Sequence, residues 1–107
     1  MTGFTLETLA ATIIARAHSD DEGSYTRKLY NKGPARCAKK FGEEAFELAI
    51  AAAEGKADDI RAEAADVLYH LLVLLEASGV PYAAVVEELA GRTGQTGLQE
   101  KASRPKD

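Results

Sequence analysis

Three glutamates, Glu43, Glu44 and Glu47, precede Gly55, and two more acids, Glu63 and Asp66, follow it. Residues three or four apart share one face of a helix. Glu44 and Glu47 therefore make one acidic ledge, and Glu63 and Asp66 make another. If the two segments are helices folded back on each other at Gly55, Glu47 faces Glu63 and Glu44 faces Asp66. Four carboxylates then meet in two layers roughly 4.5 Å apart, at a rise of about 1.5 Å per residue. Two unit charges about 4 Å apart repel by roughly 4 kcal/mol at an effective dielectric near 20. Such a cluster must either take up protons or hold a hard cation. Oxygen ligands without His or Cys suit Mg²⁺ or Mn²⁺ rather than Zn²⁺, so the spacing reads as a metal site.

A blander reading exists for each half. Glutamate is a good helix former, and EExxE on an exposed helix face is common; ExxD alone is weaker still. The register of the two halves tips the balance, because Gly55 is the only glycine between Gly42 and Gly79. Both motifs also adjoin apolar positions (Ala45, Leu48, Ala64, Val67) rather than a wholly polar surface. Lys40 lies one turn before Glu44, and His70 one turn after Asp66. A cation-holding acidic cluster beside Lys and His is what a polyphosphate substrate requires. Lys40 can equally be the i,i+4 salt-bridge partner of Glu44, and His70 a hydrogen-bonded core histidine. Cys37 has no convincing His partner and reads as a small helix residue. His18 sits at a helix end, where capping or dipole compensation is the ordinary role.

Helical spacing dominates the chain. Residues 5–18 put Leu6, Leu9, Ile13 and Ala17 on one stripe with Thr5 as N-cap. Residues 24–32 form a short helix ending at Gly33. Pro34 opens a long helix that Gly55 terminates near Glu54. A second long helix spans about Ala57 to Ala77, and Pro81 starts a last one to about Ala90. Residues 91–107, with Gly91, Gly94 and Gly97, read as a loop or docked tail. Lys101 and Arg104 there are either solvated charges or a phosphate clamp. The expected fold is all-α, with four to five helices and an antiparallel pair carrying the acidic motif. Residues 67–75, VLYHLLVLL, are apolar nearly all round the helix and need cover on every side. The same helix of a second subunit about a two-fold axis supplies it, giving a helical-bundle homodimer; the alternative is a central helix in a compact monomer.

At 107 residues with 46% hydrophobic content, the sequence suits one domain with a packed core. A net charge of −4 argues against a nucleic-acid binder. The single cysteine excludes internal disulfides and fits a reducing compartment. With neither a leader-like segment nor a membrane-length apolar run, the expectation is a soluble, cytoplasmic protein without membrane or nucleic-acid partners.

The order EExxE, fifteen residues (48–62), ExxD resembles the signature of the MazG-like all-α nucleoside triphosphate pyrophosphohydrolases. More narrowly, SYTRKLYNKG, KKFGEEAFE, AADVLYHLLVLL and EKASR, spread over about Leu6 to Arg104, resemble the phosphoribosyl-ATP pyrophosphatase family in its stand-alone form. That resemblance implies Mg²⁺-dependent hydrolysis of 1-(5-phosphoribosyl)-ATP to the AMP derivative and pyrophosphate, the second step of histidine biosynthesis. It implies Glu44, Glu47, Glu63 and Asp66 as metal ligands and Glu43 as the residue that orients or deprotonates water. Lys28, Lys40, His70, Lys101 and Arg104 become the candidate phosphate-binding residues, and the homodimer is again expected. A house-cleaning pyrophosphohydrolase of noncanonical or deoxy nucleoside triphosphates is the alternative with the same metal cluster. An aromatic base pocket would favour it, and this chain has no Trp and three Phe.

Overall fold

A computed structural model describes residues 3–94. They form five helices, α1 (Leu6–Ala17), α2 (Tyr25–Asn31), α3 (Pro34–Glu54), α4 (Ala57–Ser78) and α5 (Tyr82–Thr93), with no strand among the described residues. The expected all-α class is therefore met. The last helix continues to Thr93, three residues past its expected end and through Gly91. Lys101, Arg104 and the rest of the expected tail beyond Gly94 lie outside the described residues.

Local chemistry explains most of the boundaries. Thr5 and Thr8 cap α1 reciprocally, each side-chain oxygen 3.0 Å from the other's backbone nitrogen, which satisfies amides that the first turn leaves free. Ser24 Oγ accepts from Arg27 N at 3.2 Å at the start of α2. Pro34 occupies the first turn of α3, where its missing N–H costs nothing. Gly55 ends α3 with φ of 74°, a left-handed conformation that side chains disfavour. Gly79 ends α4 in the same way, its N–H donating to Glu76 O while Val80 N–H donates to Leu75 O.

The core gathers Ile13 of α1, Leu29 of α2, Cys37 of α3, and Leu72 and Val73 of α4. Thus the apolar run of α4 is partly spent inside the chain. Leu68 on the same helix remains 41% exposed, and α5 contributes no buried residue while leaving Val86 and Leu89 exposed. Cys37 fits its reading as a small packed residue, its Sγ donating to Leu29 O at 3.3 Å, with burial pushing the thiol pKa up. His18 Nε2 meets Glu76 Oε2 at 2.8 Å and ties the end of α1 to α4. No single helix among the described residues is long and apolar enough to cross a membrane.

The joint of α3 and α4 positions the acids. Two residues, Gly55 and Lys56, connect these helices, which share the most extensive contact of any helix pair among the described residues. Ala51 of α3 is buried. At the other end of α4, Ile13 closes over Val73. Replacing Ile13 with Ala removes a side chain that is 1% exposed. It is expected to lower unfolding free energy by about 2–5 kcal/mol, read as a lower urea midpoint at an unchanged m-value.

Candidate active site

Glu44, Glu63 and Asp66 bring one carboxylate oxygen each to within 4.8 Å of one another. Glu44 is buried, Glu63 is half-buried and Asp66 is exposed, so the group opens to solvent on the α4 side. Glu47, the fourth expected acid, is not one of the three clustered carboxylates but lies near enough to Glu63 for its charge to act on it. Glu63 Oε2 is buried without a hydrogen-bond partner among the described residues. Burial first, then the charges of Glu47, Glu44 and Asp66, raise the Glu63 pKa above the ordinary carboxylate range. An orphaned buried oxygen among like charges, with only oxygen donors around it, fits a hard divalent cation. Glu54 and Asp59 extend the acid set into a cleft of about 200 Å³ that Glu47 and Glu63 also line. They were legible in principle, being seven residues beyond Glu47 and four before Glu63, which are helical repeats.

Lys40 forms the seam to a second region. Its Nζ lies 3.2 Å from Glu44 Oε1, and that hydrogen bond chiefly holds the ammonium pKa above its usual value. The same lysine lines a cavity of about 280 Å³ whose wall also carries Lys28, Lys32, Arg36 and Lys39. Glu43, which is exposed, stands at this cavity with Tyr25 and not among the clustered acids. Hence Lys28 and Lys40, both candidates from the family resemblance, line one cavity, together with Lys32, Arg36 and Lys39, which the sequence reading did not single out. Their signal was a basic residue at nearly every fourth position from 28 to 40, interrupted by Gly33 and Pro34.

His70 takes the core alternative. It is buried, with Nδ1 2.8 Å from Asp66 O and Nε2 3.3 Å from Tyr25 Oη. A carbonyl only accepts, so Nδ1 carries the proton, and both ring nitrogens are engaged within the protein. His70 thereby links the backbone at Asp66 to the tyrosine at the basic cavity. Tyr69 packs edge-on against it with ring centroids 5.0 Å apart and hydrogen-bonds through its hydroxyl to buried Thr26.

This pairing of acids and cations has relatives. A family model described as phosphoribosyl-ATP pyrophosphohydrolase matches residues 6–93. The chain belongs to that family. A protein named phosphoribosyl-ATP pyrophosphatase 1 from Rhodopseudomonas palustris is 56% identical over 107 residues, 100% of both chains. The phosphoribosyl-ATP pyrophosphatase of Methylobacterium radiotolerans is 57% identical over 97% of both. Phosphoribosyl-ATP pyrophosphatase 1 of Bradyrhizobium diazoefficiens is 56% identical over 97% of this chain and 98% of its own. Membership spans α1 to α5, so it includes both the acid cluster and the basic cavity.

Because Glu63 binds its proton more tightly when folded than when unfolded, it favours folding fully below its ordinary pKa of about 4.5. That contribution is lost as pH rises through the raised folded value. With chelator present, Glu63→Gln is expected to be more stable than the parent at neutral pH, the gap shrinking as pH falls toward 4.5. Thermal unfolding of both proteins across that range checks this.

Proposed function

We propose that the protein hydrolyses 1-(5-phosphoribosyl)-ATP to 1-(5-phosphoribosyl)-AMP and pyrophosphate, the second step of L-histidine biosynthesis. The observation that carries the reading is the Lys40–Glu44 contact, which joins the acid cluster directly to a cavity lined by four further cations. A nucleoside polyphosphate needs both surfaces in one place. The names of the relatives support the same substrate.

Glu44, Glu47, Glu63 and Asp66 would hold Mg²⁺, or Mn²⁺, in an antiparallel pairing of α3 and α4. Bound there, the ion would neutralise phosphate charge and acidify water. Glu43, at the cavity beside Lys40 rather than among the clustered acids, orients or deprotonates the attacking water. The water oxygen bonds to the α-phosphorus as the α–β bridging bond breaks and pyrophosphate departs. Lys40 and Lys28 take the phosphate charge that faces the cavity; Lys101 and Arg104, which lie outside the described residues, are the further candidates for binding phosphate. His70 acts at one remove, through Asp66 and Tyr25.

The apolar residues left open on α4 and α5 (Leu68, Val86, Leu89) support a homodimer, and the cytoplasm is the proposed compartment for this single domain. Sedimentation is expected to give a particle of two 11.4 kDa chains, and Val86→Glu/Leu89→Glu a monomer. A monomeric parent would exclude the dimer.

The decisive assay is pyrophosphate release from phosphoribosyl-ATP, with and without Mg²⁺, beside a panel of ordinary and noncanonical triphosphates. Turnover confined to phosphoribosyl-ATP with Mg²⁺ is expected. Glu47→Gln and Glu63→Gln should lower kcat by at least about 100-fold, the scale of transition-state charge stabilisation, with helical content unchanged. Turnover of free triphosphates alone would move the protein to the house-cleaning class.

A further inference from the structure

The basic cavity gathers five cationic side chains, of which only Lys40 makes an ion pair among the described residues. Arg36, Lys40, Glu44 and Glu47 follow one another at helical repeats on a single face of α3, two cations and then two acids. Lys40 stands at the acid cluster through its ion pair with Glu44. Arg36 lies eight residues before Glu44, about 12 Å along the helix at 1.5 Å per residue. Beside it, Lys32 and Lys39 line the same cavity, and none of these three makes an ion pair among the described residues. Arg36 also belongs to the first turn of α3, which has no side-chain cap. The positive end of a helix of 21 residues therefore adds to the local field. Clustered cations repel one another, and an anion placed among them relieves that cost.

Phosphoribosyl-ATP has two phosphorylated ends. A triphosphate sits on one pentose, and a monophosphate on the other, with the purine between. We infer that Lys32, Arg36 and Lys39 bind the monophosphate of the second pentose and so select phosphoribosyl-ATP over free nucleoside triphosphates. This inference rests on the activity proposed above. The separation along α3 is one that a purine flanked by two pentoses can bridge. Arg36 offers a planar fork suited to two phosphate oxygens at once, and the two lysines add charge without fixed geometry. Free triphosphates lack this group, so the same residues give them nothing.

Two measurements test the assignment, on the parent, on Lys32→Ala/Arg36→Ala and on Arg36→Lys. These side chains are exposed, so the variants are expected to keep the parent's helical content. In steady-state turnover of phosphoribosyl-ATP, the double variant should show KM raised at least about tenfold, the size of a lost charge-assisted hydrogen bond. Its kcat should stay within about threefold, and Arg36→Lys should recover part of the KM. Calorimetric titration with ribose 5-phosphate, which carries the monophosphate alone, should show saturable binding to the parent and none to the double variant. An unchanged KM, a fall in kcat without a change in KM, or no ribose 5-phosphate binding to the parent would overturn the inference while turnover persists. A parent that binds ribose 5-phosphate but releases no pyrophosphate would overturn the proposed activity instead.

Discussion

Repulsion among the carboxylates between α3 and α4 is the constraint to which the other parts of the molecule answer. Glu63 faces Glu44, Glu47 and Asp66, and its buried Oε2 has no partner among the described residues. Left to themselves, the charges would push the two helices apart. A connector of two residues at one end and the buried Leu72 and Val73 of α4 near the other keep them together. Stability gained by burial in the core thus sustains a locally unfavourable arrangement, as functional clusters commonly require.

Charge along α3 reverses within a few turns, and the Lys40–Glu44 pair marks the reversal. That pair is half-exposed on the lysine side, so its Coulomb energy is modest. Its consequence is positional. Lys40 is fixed against the acids while the neighbouring cations make no ion pair among the described residues, which leaves a cationic surface and an anionic one in contact without neutralising each other. The framework behind this seam is built of neutral contacts. His70 reaches from the Asp66 carbonyl to the Tyr25 hydroxyl, and Tyr69 packs on His70 while meeting Thr26. These bonds tie α2 to α4, so the wall of the cavity and the acid cluster have a common mounting.

Individual residues show how far the sequence was legible. The caps at Thr5 and Ser24, Pro34 at the first turn of α3, and Gly55 and Gly79 at helix ends all act within a turn of themselves, and each boundary could be read locally. The approach of Glu44 to Glu63 and Asp66 was also legible, because helical periodicity and one glycine pivot relate the two acidic stretches. His70 was not settled by spacing. Its position one turn from Asp66 is compatible with a ligand-facing role, but Tyr25, 45 residues away, occupies Nε2. Lys32, Arg36 and Lys39 were missed because a helix break at Gly33 interrupts their repeat, and only the packing of α2 against α3 brings them to one cavity. The end of α5 was misplaced at Ala90 because Gly91 is a weak helix former but is compatible with a helix that continues to Thr93.

The sequence by itself determined the helices, the location of the acids on their faces and the chemistry those acids can support, since these follow from interactions within a few residues. Tertiary structure decided which charges pair and which remain free. Lys40 meets Glu44, whereas four neighbouring cations find no acid among the described residues, and His70 is enclosed, whereas Asp66 stays open. Those outcomes depend on the packing of α2 and α3 against α4, contacts between residues far apart in the chain that no local spacing encodes.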